Sequence, residues 1–233
     1  MRADTDVDSY SPDGRIIQIE YAMKAMNLGT TTVACCLKDK ILVVSEKKIL
    51  NKLQITSSIK KNQRLFSNIG LSFSGIKGDA NKIVDVAREI CLNHFRMHHE
   101  NISLIGLLKY LGNLALQFGE EANKKILGRP FGASILLGSV EKEANLYILD
   151  PSGSYHKFKH VAIGAGHDTV GNSLKEEYNE NLGFENSLTV LLRNVANVMQ
   201  EPITEHNVEV MVIGKDNVEF LTEEQISGFV QSL

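Results

Sequence analysis

The chain contains no tryptophan and only four prolines and three cysteines among its 233 residues. Because no proline- or serine-rich stretch divides it, we predict a single domain over residues 1–233 with a substantial hydrophobic core. The cysteines are Cys35, Cys36 and Cys91. Their odd number, the adjacent pair and the lack of metal-ligand spacing indicate reduced thiols, as in cytosolic or nuclear proteins.

The sequence has neither a large excess of charge of one sign nor a long hydrophobic run. The formal net charge is -3, which gives no electrostatic indication of a nucleic-acid partner. The N-terminal region has no apolar run of signal-peptide length, and no later run reaches the ~18 residues of a membrane span. We therefore expect a soluble intracellular protein that binds neither nucleic acid nor membranes.

What the chain does contain is an alternation of helical and strand patterns. Apolar residues at helical spacing predict helices over residues 15–27, 79–95, 103–118, 170–179 and 187–199, and another that begins near residue 222. Branched apolar runs predict strands over residues 30–37, 41–45, 65–73, 133–138, 144–149, 161–165 and 208–213. The turn residues Asp150 and Gly153 are expected to close one hairpin.

Helices that occur in pairs between groups of buried strands predict an α+β fold with four layers. We expect an α/β/β/α sandwich in which two mainly antiparallel sheets lie between helix pairs, because hairpin turns join the strands. Residues 1–10 are polar and are expected to form an exposed tail. Residues 15–27 are expected to form an amphipathic N-terminal helix.

Residues 11–22 read Ser-Pro-Asp-Gly-Arg-Ile-Ile-Gln-Ile-Glu-Tyr-Ala, and this stretch resembles the N-terminal signature of proteasome alpha subunits. Further groups in the order of that family are Gly75 with residues 79–80, residues 129–132 and residues 150–153. Stretches similar to the type-5 subunits within the family are residues 113–121, 173–178 and 221–224. The resemblance implies a fold like that of the N-terminal nucleophile hydrolases.

The resemblance also implies an architectural function. Alpha subunits are non-catalytic, and seven of them form the alpha ring of the 20S proteasome above the beta subunits. The ring holds the gated axial pore for substrate entry, and pockets between its subunits receive the C-terminal tails of the regulatory particle or other activators. The implied setting is ATP- and ubiquitin-dependent protein degradation in the cytoplasm and nucleus, with no cofactor and no metal.

One set of site residues carried over from the family belongs to the pore gate. The matching positions are Asp4, Pro12 and Tyr21, whereas Ala3 stands where the family has a tail tyrosine and cannot supply its hydroxyl. The stretch before Asp4 is also too short to reach far over a pore. We therefore expect this tail to contribute less to closing the pore than those of neighbouring subunits.

A second set belongs to the pocket for activator tails, and consists of Lys61, Gly75 and Ile76. Lys61 ends a Ser-Ile-Lys-Lys stretch and matches the family's pocket lysine, while Gly75 and Ile76 match the backbone turn of the pocket. We expect a half-exposed ammonium in a cleft between subunits, where it holds one carboxylate. Without the resemblance, Lys60 and Lys61 would be interpreted as a solvated pair on a loop.

The alternative function is that of a threonine-type peptidase precursor, a catalytic beta-like subunit processed between Gly29 and Thr30. Cleavage there would free a threonine whose hydroxyl attacks the substrate and whose amine acts as the base. Glu46 and Lys61 match the supporting carboxylate and lysine. Against this alternative, the segment before Thr30 carries the alpha signature, and the extra methylene of Glu46 relative to Asp would displace the carboxylate. The Asp-Ser-Gly cluster of such active sites also has no counterpart, so we expect no catalytic residues.

A group of histidines and a Gly-Ala-Gly stretch superficially resemble a metal site and a phosphate-binding loop, but both have ordinary structural explanations. His94, His98 and His99 lie near a predicted helix end, where solvated imidazoles are common, and Glu100 alone is a weak additional ligand for a metal site. Residues 164–166 read Gly-Ala-Gly between a strand and a helix. They lack the third glycine and the distal acid of a dinucleotide site, so we interpret them as a turn.

Overall fold

The structure is a computed structural model that describes residues 7, 9–51, 53–119, 127–178, 182–231 and 233. The helices in this part of the chain are α1 Ile17–Met26, α2 Lys77–His98, α3 Leu104–Ala115, α4 His167–Glu177, α5 Phe184–Val198 and α6 Glu223–Val230. The strands are β1 Thr32–Cys36, β2 Ile41–Glu46, β3 Asn62–Arg64, β4 Ile69–Gly75, β5 Ala133–Val140, β6 Ala144–Leu149, β7 Tyr155–Phe158, β8 His160–Ile163, β9 Val208–Ile213 and β10 Val218–Phe220.

The strands form two five-stranded sheets whose described strand pairs are all antiparallel. The strand order is β10-β9-β2-β1-β8 in the first sheet and β3-β4-β5-β6-β7 in the second. One apolar cluster packs α2 and α3 on the second sheet, another packs α4, α5 and α6 on the first, and a third fills the space between the sheets. The predicted four-layer α/β/β/α sandwich is therefore confirmed.

Three short strands, β3, β7 and β10, were not predicted from the sequence. Each lies at the edge of its sheet, where one side of the strand faces away from the sheet and charged residues are tolerated. Their sequences are Asn-Gln-Arg, Tyr-His-Lys-Phe and Val-Glu-Phe. These short stretches carry little of the apolar pattern that marks the central strands, so a local pattern does not identify them.

Helix α1 packs across the ends of β4 and β5. Ser74 Oγ donates a hydrogen bond of 3.0 Å to the carbonyl oxygen of Met26, the last residue of the helix. Gly75 makes this close approach possible, since it has a φ of +110° and a Cβ there would lie 2.9 Å from Met26 Cα. The N-terminal segment is thereby joined to the second sheet at one end of the sandwich.

Asp79, in the first turn of α2, connects two of the groups that carry the family resemblance. Its carboxylate accepts hydrogen bonds from Arg129 at 2.7 and 3.1 Å, and from the backbone N–H of Gly132 at 2.8 Å. These contacts hold residues 129–132 against the helix start, where a negative charge is favourable. Residues 79–80 and 129–132, which are far apart in the sequence, therefore lie together in the structure.

The expected exposed tail, residues 1–10, falls mostly outside the described residues, although Tyr10 is described and is 74% exposed. Helix α6 begins where the sequence predicted, because Thr222 and Gln225 form reciprocal hydrogen bonds of a capping box at its start. Among the helices of the described residues, none combines the length and apolarity needed to cross a membrane.

Candidate functional site

The peptide bond between Gly29 and Thr30 is built into the fold at the start of β1. The carbonyl oxygen of Gly29 accepts a hydrogen bond of 2.9 Å from the N–H of Ala165. The N–H of Gly166 donates to Thr31 Oγ1 at 3.1 Å. Residues 164–166 thus form a turn against the start of β1, as their interpretation as a turn predicted. Residues 27–29 connect Thr30 to the end of α1.

A row of buried polar side chains lies at this end of the space between the sheets. Thr32, Ser45 and Glu209 face one another across three neighbouring strands of the first sheet. Ser45 Oγ accepts from Thr32 at 2.9 Å and donates to Asn62 Oδ1 at 2.7 Å, and it lies 3.1 Å from Ser72 Oγ. We call these five residues the polar row. Their mutual hydrogen bonds offset the cost of burying them.

Glu209 fixes the backbone at the start of β3. Glu209 is buried, with only 8% of its surface exposed. One carboxylate oxygen, Oε2, accepts hydrogen bonds from the backbone N–H groups of Lys61 at 3.0 Å and Asn62 at 2.8 Å. Asn62 Nδ2 in turn donates to the carbonyl oxygen of Glu209 at 3.2 Å. Hydrogen bonds to a carboxylate are among the stronger ones in proteins, so this contact holds the two sheets in register here.

Lys61 is buried, and the expectation of a half-exposed ammonium is wrong for this chain. The residue is 8% exposed, and its Nζ lies 4.7 Å from the centroid of the Phe73 ring. Burial lowers the pKa of Lys61 to about 8, while the carboxylates of Glu46 and Glu209 act in the opposite direction and Lys77 adds to the lowering. Pairing of β3 with β4 brings the lysine over the aromatic ring, which the linear sequence does not reveal.

Lys60, by contrast, is exposed and borders a small cavity of about 180 Å³. Lys47, Glu209 and Glu223 also line this cavity. Burial lowers the pKa of Lys47, and the charges of Glu209 and Glu223 oppose that effect. The structure therefore places Lys60 and Lys61 in different surroundings, one at a cavity and the other against an aromatic ring.

The residues considered for the peptidase alternative lie in the same region. Glu46 Oε2 accepts a hydrogen bond of 3.1 Å from the backbone N–H of Thr31, and the N–H of Glu46 donates to the Thr31 carbonyl at 2.9 Å. The charge of Glu46 also acts on Lys61. A catalytic threonine would use its own free amine as the general base, which requires cleavage between Gly29 and Thr30.

The gate residues are only partly within the described structure. Asp4 lies outside the described residues. Pro12 is exposed in the turn before α1, and Tyr21 on α1 is 49% exposed, with Lys24 Nζ 5.8 Å from its ring centroid. The described contacts do not bring Pro12 and Tyr21 together, so their joint role in a gate stays a prediction.

Gly75 and Ile76 lie at the end of β4, beside α1. The N–H of Ile76 donates to the carbonyl of Gly132 at 2.9 Å, and its side chain is 41% exposed. These two residues and Lys61 belong to the same end of the sandwich as the polar row. Their assignment to an activator-tail pocket stays a prediction, because it concerns a contact with another molecule.

The histidines near the end of α2 lie close together. The rings of His94 and His98 lie 4.5 Å apart, and His99 ends the helix in the left-handed conformation, with a φ of 55°. Within the described part of the chain, no cluster of three or more His, Cys, Asp or Glu side chains could hold a metal ion.

Sequence reasoning missed Glu209 and the rest of the polar row. A signal for Glu209 was present, because a carboxylate within the apolar run Val-Glu-Val-Met-Val-Ile of β9 is unusual for a buried strand. Serine and asparagine in β2, β3 and β4 gave no comparable signal. Their partners come from other strands, and only the fold identifies them.

Comparisons with known proteins agree with the fold. A family model described as "Proteasome subunit" matches residues 26–213, and a model of the N-terminal signature of A-type proteasome subunits matches residues 4–25. The chain is 47% identical over 225 residues to the "Probable proteasome subunit alpha type-5" of Encephalitozoon cuniculi, covering 96% of this chain and 97% of that one. It is 35% identical to "Proteasome subunit alpha type-5" of Caenorhabditis elegans, covering 90% and 85% of the two chains. It is 32% identical to the protein of that name in Trypanosoma brucei brucei, covering 97% and 94%.

Proposed function

The chain belongs to the proteasome alpha-subunit family, and we propose that it is a structural, non-catalytic subunit of the alpha ring of a 20S proteasome. In this role it assembles with other alpha subunits in a seven-membered ring, above the beta subunits. The ring forms the gated pore through which substrates enter during ATP- and ubiquitin-dependent protein degradation. We place this activity in the cytoplasm and nucleus.

The observation that carries this proposal is the integration of the segment before Thr30 into the fold. Helix α1 is attached to β4 through the Ser74–Met26 hydrogen bond, and the carbonyl of Gly29 is bonded to Ala165. A disposable propeptide would not need these contacts. They support a chain that keeps its N-terminal segment, and therefore has no free threonine amine, over the peptidase precursor.

Purification of the assembled particle tests the architectural function. A tagged copy of the chain should co-purify with a set of related chains of similar mass, near its own 25.8 kDa. Intact-mass spectrometry should find that this chain retains the residues before Thr30. Recovery of the chain shortened to begin at Thr30 would contradict the proposal and favour the peptidase precursor.

We also propose that Lys61, Gly75 and Ile76 contribute to a pocket for the C-terminal tails of activators. The support is the largely desolvated ammonium of Lys61, which lies against the ring of Phe73. An ammonium that has lost most of its hydration gains more from an incoming carboxylate than a fully solvated one does.

Two neighbouring lysines provide a matched comparison for the pocket. Lys61→Ala should weaken binding of a peptide with a free C-terminal carboxylate by about 1.5–3 kcal/mol, the value of a hydrogen bond between charged groups. Lys60→Ala, which removes an exposed charge, should have a much smaller effect at the same ionic strength. Equal losses would indicate a diffuse basic surface, and Lys61 would then have no special part in tail binding.

A further inference from the structure

The backbone that carries Lys61 is held by a residue far away in the sequence. Glu209, on β9 of the first sheet, accepts hydrogen bonds from the N–H groups of residues 61 and 62 with one carboxylate oxygen, at 3.0 and 2.8 Å. Asn62 closes the contact by donating to the carbonyl of Glu209 at 3.2 Å. Three hydrogen bonds therefore join the start of β3, an edge strand, to the opposite sheet.

This contact fixes the backbone position from which the Lys61 side chain projects. Strand β3 is three residues long and pairs with β4 on one side only. A short edge strand of this kind is weakly fixed by its own ladder. The bonds from Glu209 supply the missing restraint, and the lysine that projects from this backbone lies with its Nζ 4.7 Å from the Phe73 ring centroid.

We propose that Glu209 is a positioning residue for carboxylate binding by Lys61: by holding the backbone amides of residues 61 and 62, it fixes the place of the lysine ammonium. The inference rests on the proposed activator-tail pocket. A carboxylate that enters such a pocket must meet the ammonium at hydrogen-bond distance, and binding weakens when a side chain must first be ordered.

The charge of Glu209 has a second effect on the same lysine. The charged groups that act on Lys61 are Glu46 from β2 and Glu209 from β9, which raise its pKa, and Lys77 from α2, which lowers it. Only the protonated lysine attracts a carboxylate. Tail binding should therefore weaken as the pH rises through about 8, and removal of the Glu209 charge should move this loss to lower pH.

Two substitutions at position 209 separate the hydrogen bonds from the charge. Glu209→Gln removes the charge but keeps an oxygen at the end of a side chain of the same length, and both N–H donors use a single oxygen. Glu209→Asp keeps the charge but shortens the side chain by one methylene, so its carboxylate no longer reaches both amides. Glu219→Gln, at an exposed carboxylate on β10, is the matched control.

The measurement is the affinity of assembled particles for a synthetic peptide with a free C-terminal carboxylate, from about pH 6.5 to 9.5, with the C-terminally amidated peptide as reference. At the lowest pH we expect Glu209→Asp to bind about tenfold more weakly than the unaltered chain, corresponding to the loss of one well-placed charged contact. Glu209→Gln should bind nearly normally at that pH and lose affinity at a lower pH than the unaltered chain. Glu219→Gln should match the unaltered chain throughout.

The Lys61 and Glu209 variants distinguish failure of the proposed pocket from failure of the positioning role. If Lys61→Ala leaves the affinity for the carboxylate peptide unchanged, the proposed pocket itself is wrong. If Lys61→Ala weakens binding but Glu209→Asp binds as the unaltered chain does, the positioning role of Glu209 is overturned. Should Glu209→Asp fail to enter particles, Asn62→Ala, which removes the third hydrogen bond of this contact, takes its place. Unaltered binding by Asn62→Ala would then overturn the positioning role, whereas a pH profile of Glu209→Gln that coincides with the unaltered one would overturn only the effect of the charge.

Discussion

Burial of Lys61 disfavours its charged form and therefore opposes folding. In the folded chain its pKa is about 8, lowered from 10.5 mainly by burial. Below pH 8 the lysine is charged in both the folded and the unfolded chain, and the folded state bears the full cost of desolvating the charge. The lowering of the pKa corresponds to about 3 kcal/mol of unfolding free energy. A buried group with a strongly lowered pKa is a candidate for a binding role.

Replacement of the charge should reveal this cost. Lys61→Met keeps a long apolar side chain over Phe73 and should raise the free energy of unfolding by about 3 kcal/mol at pH 7. Between pH 8 and 10.5 the unfolded chain holds more protons than the folded one, so the unaltered chain becomes more stable as the pH rises. The advantage of the methionine variant should therefore disappear across this range.

Denaturant unfolding of the purified chain at several pH values measures the difference. Lys60→Met, at the exposed neighbouring lysine, is the control and should change stability little at any pH. A methionine variant at position 61 whose advantage is the same at pH 7 and at pH 10.5 would contradict a cost that arises from the buried charge.

Helix α1 keeps part of its apolar surface uncovered in the single chain. Ala22 is the buried residue of the helix, whereas Ile19, Met23 and Met26 are only half-buried although they lie on its apolar side. The exposed Leu28 lies in the turn after the helix, with 84% of its surface accessible. An apolar face of this kind is typical of a contact with another subunit.

Substitution in this face should prevent assembly. Ile19→Asp would place a carboxylate in the contact between subunits, where an unpaired buried charge costs several kcal/mol. We expect the variant to be absent from assembled particles, whereas Ile19→Leu, which keeps the apolar surface, should assemble normally. The measurement is the fraction of each tagged variant that elutes with the particle in size-exclusion chromatography. Normal incorporation of Ile19→Asp would show that this face lies towards solvent.

The whole chain is arranged so that the start of β1 is internal to the molecule. Residues 27–29 join α1 to Thr30, and residues 164–166, in the loop before α4, bond to Gly29 and Thr31 on either side of it. The Glu46 carboxylate accepts from the backbone N–H of Thr31. Side chains that resemble a peptidase site are thus used to connect elements of the fold.

Thr30→Ala tests this conclusion in the assembled particle. If the proposed non-catalytic function is right, Thr30 keeps its peptide bond, and we expect the variant to assemble and to hydrolyse model peptides at the same rate as the unaltered particle. A threonine-directed covalent inhibitor should not label this chain, as judged by intact-mass spectrometry. Labelling of Thr30, or loss of a peptidase activity in Thr30→Ala particles, would instead support the catalytic alternative.

The sequence by itself determined the fold class, the order of most elements and the family. Helical and strand periodicities depend on neighbouring residues, and so do turn residues such as Asp150 and Gly153, which form the predicted turn between β6 and β7. The signature in residues 11–22 is likewise contiguous. The predicted element boundaries differ from those observed by a few residues, and the three short edge strands were missed because they lack an apolar pattern.

Only the tertiary structure decided the environment of the candidate site. From the sequence alone, Lys61 would be interpreted as a solvated residue beside Lys60. Strand pairing instead places its ammonium against the Phe73 ring, and burial lowers its pKa. Glu209, which holds its backbone, is 148 positions away in the sequence. Burial and long-range hydrogen bonds depend on which strands become neighbours, and no local pattern of residue types encodes that choice.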